Sequence, residues 1–393
     1  MLKAGVGFSK HTNGTEAARE AANQAMESGG IDTADWAIIF CTFPHKEHYR
    51  DMLKSVCEIS QTSNVTGCSG IGVLANLGEI EAEPGVSVLA VSTDLIEVTS
   101  FISGDSTEGG FKAGVEIGKK LNPIKGDKAL LTFLPDPFNI NPYNLFEGVE
   151  SQLGSIPIVG ATASENPYVN ETTEFCGDTV SQSSVSGLMI QGDFNYIIGI
   201  TQGCQPVGPP FVITKCENNI IIKIDDKPAF DVLKEYVPQI LIENPRDMMH
   251  MAFVGFSPVN DKNDFNRGNY LIRNLLGFNP ESGLIGVAEN VIEGQNITFA
   301  VRNSQMARED LKQMLERMKS SSDPNKPFRF GFYFNCCARG SSLYGQKGID
   351  TAYINHYLGN IPIVGFFGNS EFSHLHGKNH IFTYTGVLVL FTE

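Results

Sequence analysis

The sequence has no apolar run long enough to cross a membrane as a helix, which takes about 18–20 residues. It also has no dense run of Lys or Arg, and 29 basic against 44 acidic residues leave a formal net charge of −15. A chain this acidic repels phosphate backbones and anionic membranes. We therefore expect neither nucleic-acid binding nor membrane insertion.

Several other signals are absent. Residues 1–10 lack the basic and apolar regions of a secretory signal, and the eight cysteines form no C-x-x-C pair. This pattern favours free thiols in a reducing compartment, so we expect a cytoplasmic protein. No phosphate-binding loop or dinucleotide motif occurs, and His374, His376 and His380 lack partners at zinc spacing. We expect no cofactor and no metal.

An internal repeat is the most informative feature that is present. The segment 153–160 (LGSIPIVG) returns at 358–365, where Ser155 is replaced by Asn360. An apolar run that predicts a buried strand precedes each copy, at 129–134 and 328–334, and a predicted helix follows that run, at 143–153 and 348–358. Each copy is itself a short strand, and a further strand closes each unit.

A weaker third copy lies near the N-terminus, with a strand at 36–41, a helix at 45–59 and a strand ending at Gly67. Phe40 and Gly67 are separated by the same number of residues as Phe133 and Gly160, so we expect Phe40 and Phe133 to occupy equivalent positions in the two units. A fourth unit over 251–301 is a further possibility. We predict an α/β fold with two lobes, in which repeated strand–loop–helix–strand units form mixed sheets covered by helices. A stiff segment near 205–210 and a turn at 225–226 suggest domains 1–225 and 226–393.

Ligand sites in such units form where strands end and helices begin, because free N–H groups point outward there. In the last unit this loop contains Cys336, Cys337, Arg339 and Gly340. Arg339 offers a planar fork for a carboxylate, and a thiol close to it would form thiolate more readily. The alternative is that both cysteines are small buried groups and that Arg339 binds local carbonyls.

The loops after the repeated strands supply further candidates. Phe366 and Phe367 either form the apolar wall of a pocket or fill the core, and Asn369 and Glu371 are able to hold polar or amino groups. Small residues follow the matching glycines of the other units. The candidates there, which we assign to a corresponding pocket in the other lobe, are Cys68, Ser69 and Thr162.

The order of these motifs resembles the FIST family, a module with an N-terminal and a C-terminal FIST domain. The segments that carry the resemblance are 65–69 (VTGCS), 157–160 (PIVG), 208–211 (GPPF), 226–230 (DKPAF), 270–277 (YLIRNLLG), 293–302 (EGQNITFAVR), 336–340 (CCARG), 361–371 (IPIVGFFGNSE) and 384–385 (YT).

The resemblance implies an intracellular sensor in signal transduction that binds a small ligand, with an amino acid or a similar carboxylate metabolite as the expected class. It also implies signalling partners such as a histidine kinase, a chemoreceptor or a cyclic-dinucleotide enzyme. Because the sequence contains no output domain, we expect the signal to pass to a separate protein. Ser370 replaces the glycine common in the family before Glu371, and the His-rich segment after it departs from the pattern.

Two other functions stay open from the residues alone. The protein is an enzyme if Cys336 or Cys337 acts as a nucleophile, although no local Cys/His signature supports this. It is an interaction scaffold if the loops bind no ligand. The sensor is the preferred interpretation. Its expected contacts are Arg339, Cys336, Gly340, Phe366, Phe367, Asn369, Glu371, Cys68, Ser69 and Thr162.

Overall fold

The computed structural model describes residues 2–104, 109–121, 124, 128–165 and 170–392. Contacts divide the chain into two compact units. Each unit draws on residues from both sides of position 225/226, so the expected domain boundary in the sequence stays a prediction. The first unit comprises Met1–Gly199, Lys312–Ile381 and Gly386–Glu393, and the second comprises Ile200–Leu311 and Phe382–Thr385.

The first unit contains three repeats with one element order: strand, helix, strand, helix, strand, hairpin, strand. Repeat 1 spans residues 3–92. Its elements are β1 (Lys3–Ser9), α1 (Gly14–Gly29), β2 (Trp36–Thr42), a 3₁₀ helix (Phe43–His48), α2 (Tyr49–Ser60), β3 (Val65–Gly70), β4 (Gly72–Ala75), β5 (Gly78–Glu81) and β6 (Val86–Ser92).

Repeat 2 spans residues 96–192 and follows the same order. Its elements are β7 (Ile96–Ile102), α3 (Gly110–Leu121), β8 (Ala129–Pro135), α4 (Pro142–Leu153), β9 (Ile158–Ala161), β10 (Glu174–Cys176), β11 (Thr179–Ser181) and β12 (Val185–Gly192).

Repeat 3 begins with β13 (Asn195–Gln202), and the chain then forms most of the second compact unit before it continues the repeat. The elements of this insertion are β14 (Cys204–Glu217), β15 (Ile220–Ile224), β16 (Lys227–Pro228), α5 (Ala229–Tyr236), α6 (Gln239–Ile242), α7 (Pro245–Met251), β17 (Ala252–Phe256), α8 (Asp264–Arg267), β18 (Leu271–Asn279), β19 (Leu284–Val287) and β20 (Asn296–Arg302).

After the insertion, repeat 3 resumes with its first helix. Its remaining elements are α9 (Ser304–Ser320), β21 (Phe328–Cys336), α10 (Gly340–Tyr344), α11 (Ile349–Leu358), β22 (Ile363–Gly368), β23 (Glu371–Leu375), β24 (Lys378–Phe382) and β25 (Thr385–Thr392). The predicted α/β class and its repeated units are confirmed.

Each repeat contributes four strands to one sheet and donates its hairpin to another. The orders are β1-β6-β2-β3, β7-β12-β8-β9 and β13-β25-β21-β22. Hairpin β10–β11 of repeat 2 extends the sheet of repeat 1, β23–β24 of repeat 3 extends that of repeat 2, and β4–β5 of repeat 1 extends that of repeat 3. This cyclic exchange ties the three repeats together.

The parallel pair in each repeat comes so close that one position on its second strand must be glycine. A Cβ on Gly67 would lie 1.8 Å from the Ile39 carbonyl oxygen, and Gly160 and Gly365 face Phe133 and Tyr333 in the same way, at 2.0 and 1.9 Å. The register also pairs Ile39 with Gly67. The expected equivalence of Phe40 and Phe133 was therefore wrong by one residue.

The second compact unit holds one seven-stranded sheet in the order β14-β20-β17-β18-β19-β15-β16, and β14 also pairs with β15. β17 is antiparallel to both β18 and β20. The expected fourth repeat was wrong, because the parallel pair that defines the other three does not form among these strands.

Apolar side chains fill the space between each sheet and its helices. In repeat 1 the alanines of α1 are at most 1% exposed, and in repeat 2 Phe133 and Phe146 stack with ring centroids 6.4 Å apart. Asn13 begins α1 by accepting the Glu16 N–H, and Asn141 begins α4 in the same way. Among the described residues, no helix combines the length and apolarity needed to span a bilayer.

Candidate functional site

The three repeats meet where β3, β9 and β22 end. Ser164 links them: its N–H donates to the Ser69 carbonyl at 3.3 Å, and its hydroxyl donates to the Phe367 carbonyl. The hydroxyl also accepts the Ile71 N–H at 2.9 Å. Strand ends from repeats 1, 2 and 3 are therefore held together by one buried side chain. All ten predicted ligand contacts lie in this compact unit, rather than in two separate lobes.

The exchanged hairpins create three equivalent positions, which we call junctions. In the first junction β10 pairs with β3, with Glu174 opposite Cys68. In the second β23 pairs with β9, with Glu371 opposite Ala161. In the third β4 pairs with β22, with Val73 opposite Phe366. The first two junctions therefore carry a glutamate where the third carries valine.

Arg339 lies beside the third junction and already has a carboxylate partner. Its Nε and Nη2 bind the two Asp350 oxygens at 3.1 and 3.0 Å, and Nη2 also donates to the Tyr344 hydroxyl at 2.6 Å. Arg339 and Asp350 are both fully buried. Burial alone would raise the pKa of Asp350, but the charge and hydrogen bonds of Arg339 hold that pKa below its ordinary value.

The helix N-termini after Arg339 are also occupied by the protein itself. Glu81 of β5 accepts the Ser341 N–H and hydroxyl at 3.0 and 2.6 Å. Glu79 of the same strand accepts the N–H groups of Gly348 and Thr351, each at 2.9 Å. Burial, together with the charge of Asp350, raises the pKa of Glu79 to about 7. The predicted anion-binding donors thus receive carboxylates from repeat 1.

The aromatic pair of the third junction belongs to the core. Phe366 and Phe367 are 0% and 1% exposed, and Phe366 stacks on Phe40 with ring centroids 4.7 Å apart. A Cβ on Gly340 would lie 2.8 Å from the Phe367 ring and 2.7 Å from a Glu81 oxygen, so the space around Gly340 is filled. Of the two alternatives for these phenylalanines, the structure shows the core.

The second junction gathers Thr162, Asn369, Ser370 and Glu371. The Thr162 N–H donates to the Ser370 carbonyl at 2.9 Å, the Thr162 hydroxyl accepts the Ser370 N–H at 3.0 Å, and the Asn369 N–H donates to the Thr162 carbonyl at 3.2 Å. Asn369 is exposed, whereas Glu371 is fully buried. Next to them, the N–H of half-buried Cys337 donates to the Gly368 carbonyl at 2.7 Å, and Cys336 points into the interior.

The first junction gathers Cys68, Ser69, Thr173 and Glu174. The Ser69 N–H donates to the Thr173 carbonyl at 2.8 Å, and the Ser69 hydroxyl accepts the Thr173 N–H at 3.0 Å. Glu174 is fully buried and accepts hydrogen bonds from Thr172 and Ser184, at 2.9 and 3.1 Å. Burial raises the pKa of Glu174 well above its ordinary value.

Glu165 also faces the first junction, although it is not among the contacts predicted from the sequence. The Tyr49 hydroxyl donates to its Oε1 at 3.5 Å, while its buried Oε2 has no partner in the described part of the chain. Burial raises the pKa of Glu165 to about 7, an effect that Ser69 and Lys46 reduce. The available signal was its place directly after the small residues 161–164, in the loop that follows the second repeated strand.

The thiols near Glu165 are poor nucleophiles. Cys41 and Cys68 are buried, and burial followed by neighbouring carboxylates raises the pKa of each well above its ordinary value. A cysteine enzyme built on Cys336 or Cys337 stays a separate, untested alternative. Throughout the described residues, no three His, Cys, Asp or Glu side chains converge in a metal-binding arrangement.

Two open clefts lie at the opposite, amino-terminal ends of the parallel strands. One of about 400 Å³ includes Pro157, and one of about 570 Å³ includes Pro362. Both contain residues of the repeated octapeptide, but none of the ten predicted contacts lines either cleft.

Three uncharacterized proteins illustrate what this chain is similar to in sequence. An uncharacterized protein of Mycobacterium tuberculosis (strain H37Rv) is 28% identical over 392 residues, covering 100% of both chains. One of Mycobacterium bovis is 27% identical over 394 residues, covering 100% of this chain and 99% of its own. One of Methanocaldococcus jannaschii is 23% identical over 307 residues, covering 72% of this chain and 57% of its own.

Family models match nearly the whole chain. The FIST N domain matches residues 35–227, and the FIST C domain matches residues 229–374. FIST domains are associated with sensory signal transduction and small-ligand binding. The chain therefore belongs to the FIST family.

Proposed function

We propose that this protein senses an amino acid or a similar carboxylate metabolite in the cytoplasm and passes the signal to a separate signalling protein. The ligand binds at the first and second junctions. Its expected contacts there are Cys68, Ser69, Thr162, Asn369 and Glu371. Arg339, Cys336, Gly340, Phe366 and Phe367 support this surface from the third repeat.

The observation that supports this proposal is the difference among the three junctions. Glu174 and Glu371 are both fully buried, whereas Val73 takes the equivalent place in the third junction. Burying a carboxylate costs several kcal/mol, in order of magnitude, unless its partners compensate. Since valine serves the same sheet position in the third junction, strand pairing does not require a glutamate there, and we assign the two glutamates to ligand binding.

The Arg339–Asp350 ion pair of repeat 3 decides which residues contact the ligand in this proposal. Arg339, which the sequence suggested as the carboxylate contact, is engaged by Asp350, and a ligand would have to displace a buried ion pair to reach it. We therefore give Arg339 the role of fixing the loop that ends in Gly340, and give direct contact to the polar groups of the other two junctions.

The experiment measures thermal unfolding of the purified chain against a panel of L-amino acids and short carboxylic acids. A ligand present at 100 times its Kd stabilises the folded state by about 2.7 kcal/mol. We expect Glu371→Gln, which preserves side-chain shape, to lose that stabilisation. The matched control is Glu147→Gln, an exposed carboxylate of α4, which keeps it. If every compound leaves the unfolding temperature unchanged, or if Glu371→Gln responds like the wild type, the proposal is wrong.

A further inference from the structure

Glu165 is a buried carboxylate that the fold does not use fully. Its side chain belongs to a residue that is 9% exposed, and one of its two oxygens is buried without a hydrogen-bond partner in the described residues. The other oxygen receives a long hydrogen bond from Tyr49, at 3.5 Å. A desolvated carboxylate oxygen without a donor is costly, so a donor from outside the chain is the natural complement.

The groups around Glu165 are mostly neutral or acidic. Lys46 is the cation whose charge acts on Glu165, and its ammonium group hydrogen-bonds to Glu171. The thiols of Cys41 and Cys68 stay protonated because their pKa values are raised. Titratable groups act on Glu165 from β2, the 3₁₀ helix, α2, β3 and the loop after residue 170. They are Cys41, Lys46, Tyr49, Cys68 and Glu171.

This environment favours an organic cation over a metal ion. Divalent metals take several carboxylate, imidazole or thiolate ligands, and no such group of three converges among the described residues. An ammonium group needs less: one carboxylate to balance its charge and two or three oxygen acceptors. Glu165 supplies the charge, and the hydroxyls of Ser69 and Tyr49 supply further oxygens.

We propose that Glu165, together with Ser69 and Tyr49, binds the ammonium group of a small primary amine at the first junction. This inference rests on the proposed function in that it takes the first junction as part of the ligand site, and it assigns the acidic contact there to Glu165. The ammonium group donates to the unpartnered Oε2. Because the carboxylate must be ionised to balance the ammonium charge, binding weakens as the pH falls below about 7.

The test uses methylamine, the simplest primary ammonium, titrated into the full chain by calorimetry at pH 8 and pH 6. For a group with a pKa near 7, the ionised fraction falls about tenfold between these values. We expect binding to weaken by about tenfold at pH 6. We expect Glu165→Gln to weaken binding by at least about tenfold at pH 8, a typical cost of losing one charge-assisted contact.

Two further variants make the result specific. Glu47→Gln changes an exposed carboxylate of the 3₁₀ helix and should bind methylamine as the wild type does. Lys46→Gln removes the neighbouring positive charge and should tighten binding. Circular dichroism and thermal unfolding show whether Glu165→Gln is folded. If that variant does not fold, Ser69→Ala gives a second measurement, for which we expect a smaller loss of methylamine affinity.

Absence of methylamine binding by the wild type at pH 8 overturns the inference, and so does equal binding by Glu165→Gln. The two proposals fail separately. If the amino-acid panel stabilises the wild type and not Glu371→Gln, while methylamine does not bind or binds Glu165→Gln equally, sensing stands and only the assignment to Glu165 falls.

Discussion

The first and third junctions occupy equivalent places in the fold and solve the problem of a buried charge in opposite ways. Beside the third junction, Asp350 accepts hydrogen bonds from Arg339, Tyr344, Tyr333 and Asn335. At the first, Glu165 accepts a long hydrogen bond from Tyr49 at one oxygen, and its other oxygen has no partner among the described residues. Both oxygens of Asp350 are satisfied within the chain, although Nη1 of the neighbouring Arg339 has no partner among the described residues. The difference teaches that a buried carboxylate with all its acceptors satisfied belongs to a structural site, whereas the open carboxylate oxygen of Glu165 fits the ligand site that we propose.

The largest expected effect comes from breaking the hydrogen-bond network of Asp350. We expect Asp350→Ala to destabilise the protein by about 3–5 kcal/mol, because it leaves the Arg339 guanidinium buried without its counter-charge. Chemical denaturation measures the free energy of unfolding. The double variant Arg339→Met/Asp350→Leu should lose less, since it removes both charges. A single variant no less stable than the wild type would mean that Arg339 is not locked as a structural group.

A second prediction concerns how stability depends on pH at the first junction. Burial raises the pKa of Glu165 from 4.5 to about 7, so the folded state favours the protonated form. The stability this group contributes is fully present below pH 4.5 and is lost as the pH rises through 7. The loss amounts to about 3 kcal/mol by linkage. Glu165→Gln should be less sensitive to pH and more stable than the wild type at pH 8.

Urea denaturation at pH 5 and pH 8 tests this, with Glu79 as the comparison. Glu79 has the same raised pKa of about 7, but its carboxylate accepts N–H groups from Gly348 and Thr351. Glu79→Gln therefore loses acceptor capacity as well as charge, and we expect it to gain less stability at pH 8 than Glu165→Gln. Equal gains in the two variants would erase the distinction between the first and third junctions.

The repeated octapeptide made much of the first compact unit predictable. Seven of the eight residues at 153–160 recur at 358–365, which implies the same local structure, and the helices and strands lie where that implied. The hairpin exchange was not predictable, because strands of three to five residues such as β10 and β23 carry too short a pattern to name their partners. A one-residue spacing difference in repeat 1 hid the pairing of Ile39 with Gly67.

The sequence located the loops that meet at the junctions more reliably than it located the hydrogen-bond partners of their residues. Arg339 does precede a helix N-terminus, as expected, but its counter-ion Asp350 follows 11 residues later, after another short helix, and no spacing rule links the two. Glu79 and Glu81 reach these helices from repeat 1, about 260 residues away in sequence. The ten expected ligand contacts stay predictions, because burial and hydrogen bonding alone do not measure ligand binding.

The smallest expected effect comes from comparing two carboxylates at the end of hairpin β4–β5. Glu81 caps α10, and Glu83, just after the hairpin, forms a surface ion pair. Glu81 accepts both the N–H and the hydroxyl of Ser341 at the start of α10, and Glu81→Gln should cost about 1 kcal/mol, the usual scale of a lost cap. Glu83, two residues later, forms an exposed ion pair with Lys347, and solvent screens such pairs. Glu83→Gln should therefore leave the free energy of unfolding unchanged. If the two variants lose the same stability, the hairpin carboxylates act through general charge rather than through directed bonds, and the structural role assigned to the third junction weakens.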